Sequence, residues 1–129
     1  LDQERLDDIL QRVACLGERG GQRLHTYRAA SVMLRDAAEI AAKNPNVYLD
    51  ISGLLEGSTK YEGKYVEWLC DQISKAIYYI GDAEKVLFGS DRPANGIGDT
   101  IELVKRLDID EGDRELIYYG NAERLFFSR

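Results

Sequence analysis

The sequence predicts an α/β fold with two parallel strands lying among surrounding helices. Three observations carry this. From residue 32 onward, helical and strand-like stretches alternate. The two strand-like stretches, "VYLDIS" (47–52) and "KVLFGSD" (85–91), are short and rich in β-branched, aromatic and apolar residues. Between them, "VEWLCDQISKAIYYI" (66–80) repeats apolar residues every three or four positions. Strands separated by a helix of that length are joined by a right-handed crossover into a parallel sheet rather than by a hairpin.

The elements follow in order. In residues 1–14, Leu6, Ile9, Leu10 and Val13 recur at helical spacing with acids early and Arg12 late, which predicts an amphipathic helix. From Leu16 to Ser31 neither period holds, and a loop, or a segment that has lost its normal context, is expected. Residues 32–43 are strong helix formers, with Val32, Ala37, Ile40 and Ala41 largely on one side. Asn44-Pro45-Asn46 stops that helix, because proline cannot continue the hydrogen-bond ladder and pushes its predecessor out of the α region. The first strand follows, then a polar loop over 54–64. Val66, Leu69, Ile73, Ile77 and Ile80 define the clearest helix, which begins within Tyr61 to Tyr65. "GDAE" ends it, and the second strand reads as a continuous apolar run, as when both faces are buried. After the turn-rich "RPANGIGD", Ile97, Ile101, Val104 and Leu107 mark another helix. Asp110 or Asp113 can N-cap the last one, which Gly120 bends or interrupts.

Composition narrows the function. The 129 residues suit a single domain over 1–129. A net charge of −6, with no basic cluster interleaved with aromatics, argues against nucleic acid and anionic membranes as partners. No apolar run reaches the roughly 20 residues of a membrane span. The acidic start, "LDQERLDDIL", is unlike a signal peptide, so a cytoplasmic location is expected. Cys15 and Cys70 lack metal or redox spacing and read as reduced packing thiols.

In parallel sheets, chemistry gathers where strands end and the following loops begin. Asp50, Ser52, Ser90 and Asp91 all fall on that edge. Asp91 is the first candidate: a strand-end carboxylate can bind a metal or take a proton from a bound water, or it can simply close an Asx turn or cap. Period-two alternation puts Asp50 and Ser52 on one face and Leu49 and Ile51 on the other. Asp50 either lines the same mouth as Asp91 or is satisfied by loop amides or an arginine. His25 is the only histidine, a thin supply for a metal shell, and its loop context favours a solvent-exposed role over a ligand role. No GxGxxG, GxxxxGK or GxSxG pattern occurs. The pairs Tyr78-Tyr79 and Tyr118-Tyr119 read as packing.

Taken together, "KNPNVYLDISG" (43–53), "KVLFGSDRP" (85–93) and "ELIYYGNAERLF" (115–126) resemble, in order and spacing, the C-terminal part of the amidohydrolase-related family of metal-dependent hydrolases and decarboxylases. The resemblance covers about residues 35–129, leaving 1–34 as a helix plus a poorly matching segment. It implies the C-terminal portion of a (β/α)₈ barrel, with 47–52 and 85–91 as its last two strands. It also implies a divalent metal, zinc or manganese, in the parent family, with Asp91 on the position that binds the metal and exchanges a proton with its water. His25 is a weaker candidate metal ligand. Asn121 and Ala122 fall in a structural signature of the closing helix and receive no catalytic role.

The family's His-x-His pair and its middle-strand ligands have no counterpart in this sequence. A complete barrel of this type needs ~250 residues, and at least ~200. The expectation is therefore an incomplete barrel, inactive as an isolated chain, derived from an enzyme acting on a small-molecule substrate. Whether the chain itself binds a metal stays open, as does dependence on a missing N-terminal half. The alternative is a non-catalytic half-barrel-like module that self-associates or binds a protein partner through its open sheet edge. An unrelated small enzyme using Asp50 and Asp91 as a carboxylate pair ranks last.

Overall fold

The computed structural model describes residues 13–19, 22–28, 34–52, 54–55, 62–89 and 97–127. Four strands form one sheet in sequence order: β1 (Val13–Arg19), β2 (Gln22–Arg28), β3 (Val47–Asp50) and β4 (Val86–Leu87). The helices are α1 (Leu34–Lys43), α2 (Glu62–Ile80), α3 (Ile97–Lys105) and α4 (Glu111–Glu115), the last continued by two π-helical turns, Leu116–Gly120 and Glu123–Phe127. β2, β3 and β4 run parallel, with α1 connecting the first pair and α2 the second. From α1 onward this is the alternation the sequence predicts, whereas β2 is not among the two strands it predicts.

One expectation is overturned. Within the expected loop, residues 16–19 and 22–28 are strand: β1 and β2 pair antiparallel from Val13↔Tyr27 to Arg19↔Gln22, with a register shift between Cys15 and Gly17. The intervening residues are Gly20-Gly21, a dipeptide that suits two-residue hairpins. Val13 and Ala14, assigned from the sequence to the first helix, lie in β1; residues 1–12 of that expected helix are outside the described residues.

α1 forms from a run of good helix formers and buries Leu34, Ala37, Ala38, Ile40 and Ala41. It ends where expected: the Asn44 amide and side chain both donate to the Ile40 carbonyl, and the Val47 amide returns to the Asn44 carbonyl. The Lys85 ammonium then ties this turn to β4, donating to the carbonyls of Asn44 at 2.9 Å and Pro45 at 3.2 Å. Its partial burial lowers its pKa from the usual lysine value. α2 buries Leu69, Cys70, Ile73, Ser74, Ala76 and Ile77 and stops at Gly81, whose φ of 80° only glycine adopts without cost. Asp110 is the cap of α4, its carboxylate accepting the Asp113 amide at 2.8 Å.

The core lies between the sheet and α1, α2 and α3. Val47, Leu49 and Ile51 from β3 and its exit meet Val86, Ile73 and Leu103 there. Tyr48 and Leu87 belong to a separate small cluster with Leu125 of the terminal helix. Cys70 is a buried free thiol, and burial raises its pKa. The tyrosine pairs divide differently from the sequence expectation. Tyr118 packs edge-on against Phe88 and donates to the Ile101 carbonyl, whereas Tyr78, Tyr79 and Tyr119 are more than half exposed. Tyr78 reaches across to donate to the Asp108 carbonyl from the surface.

Ile73 is fully buried at the centre of this core. Ile73→Ala is expected to cost about 2–5 kcal/mol of unfolding free energy, seen as a lower midpoint with an unchanged slope in urea.

Candidate functional site at the strand ends

The C-terminal ends of β3 and β4 lie side by side because the parallel ladder pairs Leu49 with Val86 and Asp50 with Leu87. The pairing continues one step beyond β3, where the Ile51 amide donates to the Leu87 carbonyl at 3.1 Å. Alternation sends Leu49 and Ile51 into the helix-facing core. Asp50 and Ser52 take the opposite face, as the sequence predicts.

Asp50 is half-buried, and its Oδ1 accepts the Ser52 amide at 2.8 Å. That bond closes an Asx turn and fixes the carboxylate at the strand tip. Ser52 is buried at 7% exposure. Beyond the turn, the Tyr65 hydroxyl holds the Leu54 carbonyl at 2.6 Å, anchoring the start of the loop to α2.

Gly89, two residues past β4, lies directly against this pair. A Cβ added there would sit 2.9 Å from the Ser52 Cβ, and 3.5 Å from both Asp50 Oδ1 and Ser52 Oγ. Asp50, Ser52 and Gly89 thus form one polar ledge, and the two strands can approach this closely only because position 89 carries no side chain. Gly89 is absent from the candidate residues read from the sequence. The signal was there, since a glycine interrupting a buried apolar strand marks a close backbone approach.

Ser90 and Asp91 lie outside the described residues. The structure therefore brings together Asp50 and Ser52 of the predicted set. His25 falls in β2, not a loop, and pairs with Val47, whereas Arg28 pairs with Asp50. The backbone of His25 is thus three pairs, ~10 Å, from the end of the sheet where Asp50 sits. Among the described residues, no three His, Cys, Asp or Glu side chains converge to hold a metal ion. Also among them, no helix is long and apolar enough to cross a membrane.

Comparison with known proteins adds the following. A sequence model of a family described as Amidohydrolase matches residues 15–127. Curated proteins give no match. Among solved structures, the chain is similar to a 2,6-dihydroxybenzoate decarboxylase complexed with 2,6-dihydroxybenzoate, at 25% identity and a TM-score of 0.51, over 70% of this chain and 23% of that one. It is similar to an amidohydrolase from Burkholderia multivorans with bound zinc, at 17% identity and a TM-score of 0.52, over 77% of this chain and 51% of that one. A dihydroxybenzoic acid decarboxylase from Polaromonas sp. JS666, with bound manganese and the inhibitor 2-nitroresorcinol, aligns at 28% identity and a TM-score of 0.49, over 78% of this chain and 24% of that one. The chain spans about a quarter of the decarboxylases and half of the amidohydrolase. Its fold is that of part of an amidohydrolase (β/α)₈ barrel, with β1 added antiparallel at one edge.

The ledge makes a steric prediction. Gly89→Ala is expected to destabilise the protein by about 1–3 kcal/mol through overpacking against Ser52. Ser52→Gly in the same chain should recover most of that loss, and a double-mutant cycle by chemical denaturation measures the coupling.

Proposed function

The chain belongs to the amidohydrolase family, and from that premise we propose that its strand ends form part of a metal-dependent hydrolase or decarboxylase site acting on a small organic substrate. The observation that carries this reading is the ledge itself: Gly89 brings the exit of β4 into contact with a fixed carboxylate and a buried serine. Asp91 follows two residues later, in the resemblance the family's metal-binding aspartate.

Carboxylates and hydroxyls are donors that zinc and manganese accept. Since no three candidate ligands converge among the described residues, the donors fit one side of a metal shell, and the reading requires further ligands. A divalent ion held there would supply Lewis acidity and lower the pKa of a bound water toward ~7. In this reading Asp91 would help hold such an ion, and its carboxylate would take a proton from a water at the strand ends or hold that water in place for a decarboxylation. Asp50, with Oδ1 engaged by the Ser52 amide, accepts a hydrogen bond from a substrate hydroxyl. Ser52 lines this mouth, Ser90 is assigned to it from the sequence alone, and His25, with its backbone beside Val47, takes no part. The decarboxylase neighbour complexed with 2,6-dihydroxybenzoate makes hydroxylated benzoates the first substrates to try.

The isolated 129-residue chain is expected to turn over no 2,6-dihydroxybenzoate above the buffer rate; measurable turnover would refute this part of the reading. Joined to the N-terminal strands of a family barrel, it should gain activity, and Asp91→Asn should then lower kcat by about 10²–10⁴-fold. Metal contact is read separately: substoichiometric Mn²⁺ should broaden the Gly89 and Ser52 amide resonances in the wild-type chain but not in Asp91→Asn.

A second reading, a non-catalytic module that self-associates, is favoured by one observation. Among the described residues β4 is an edge strand, with pairing groups open on one side. Sedimentation velocity decides it: association growing with concentration supports the module, and a monomer throughout the micromolar range removes it.

A further inference from the structure

The terminal helix reaches into the turn that starts β4. Asn121, fully buried, donates from Nδ2 to the carbonyls of Ala83 at 2.8 Å and Val86 at 2.7 Å. Arg124 completes the arrangement: Nη1 donates to Asn121 Oδ1 at 3.2 Å and Nη2 to the Glu84 carbonyl at 3.0 Å, with the Glu84 carboxylate 3.9 Å away. Every polar atom of the Asn121 carboxamide is thereby engaged. The held turn, Ala83–Lys85, is also capped by Asp82, whose carboxylate accepts the Glu84 amide, and the Val86 amide closes it on Ala83.

This concentration of bonds falls on the strand least able to place itself. β4 pairs only Val86 and Leu87 with its neighbour, and parallel pairs are the weaker kind of ladder. Gly89 lies three residues beyond Val86, ~10 Å along an extended chain, so displacement at the turn is carried to the tip. The tip has little tolerance, because Gly89 and Ser52 are in close contact. We propose that Asn121 and Arg124 are positioning residues that set where β4 begins, and hence how Gly89 meets Asp50 and Ser52. The inference deepens the reading of the strand ends as the site and rests on it. It assigns these two residues a remote role without contact to substrate or metal.

A contribution to overall stability alone would loosen the whole protein, whereas a positioning clamp loosens β4 first. Amide hydrogen exchange on the full 129-residue chain separates the two. In Arg124→Gln, exchange at the Val86 and Ile51 amides is expected to accelerate about tenfold, the loss of one charge-assisted hydrogen bond, while Ala38, Ile40 and Ala41 in α1 keep their wild-type rates. Asn121→Ser should move the same two amides further, and Arg124→Lys should recover part of the protection. Equal acceleration in α1 and β4, or none in either, overturns the proposal. The Mn²⁺ titration is independent. Unchanged broadening in Asp91→Asn removes the metal reading and leaves the clamp, and uniform exchange removes the clamp and leaves the metal reading.

Discussion

A single buried carboxamide carries more of this architecture than its size suggests. Asn121 has no exposed surface, and its amide group bonds to two carbonyls of the turn before β4. An unsatisfied amide in such a place would cost about 1–3 kcal/mol, so the terminal helix and the turn are each correct only when the other is present. The shortest strand of the sheet is thereby fixed by a residue far away in sequence. Apolar contacts from Leu49, Val86 and Ile117 supply the surrounding burial, which drives association but specifies no register along the strand axis.

The local parts of the fold were legible because each is written in nearby residues. The apolar period of α2, the Asn44-Pro45-Asn46 stop, the alternating faces of β3 and the Asp110 cap all arise within a few positions of one another. The β1–β2 hairpin was not legible, although Gly20-Gly21 stood in plain view. Its flanks, "VACLGER" and "QRLHTYR", mix charged residues and glycine without a clean alternation, and antiparallel pairing is decided by contacts across the strands. The tyrosines failed for a related reason. Apolar neighbours in sequence do not say which side of a helix meets the core, and Tyr78, Tyr79 and Tyr119 face outward.

The candidate site was legible as an edge but not as a geometry. Period-two alternation put Asp50 and Ser52 on one face, and the structure keeps them there. What no periodicity contains is the contact between Gly89 and that pair, which exists only once two strands separated by the whole of α2 lie side by side. The absence of a side chain is information that becomes readable only from the partner's position. The same holds for Asn121, whose motif in sequence marked a structural role without saying which carbonyls it serves.

The two π-helical turns of the terminal helix bracket Asn121. Each closes hydrogen bonds five residues back, as the Asn121 amide does to the Leu116 carbonyl, and so accommodates one residue more than an ordinary turn. The helix therefore behaves as a phase adjuster. Each extra residue turns everything after it by ~100° about the helix axis. Relatives that gain or lose one residue here would swing the carboxamide off its carbonyls while leaving composition and hydropathy almost untouched. Counting residues between Asp110 and Asn121 is consequently a sharper guide to whether a homologous chain keeps this arrangement than the identity of the residues counted.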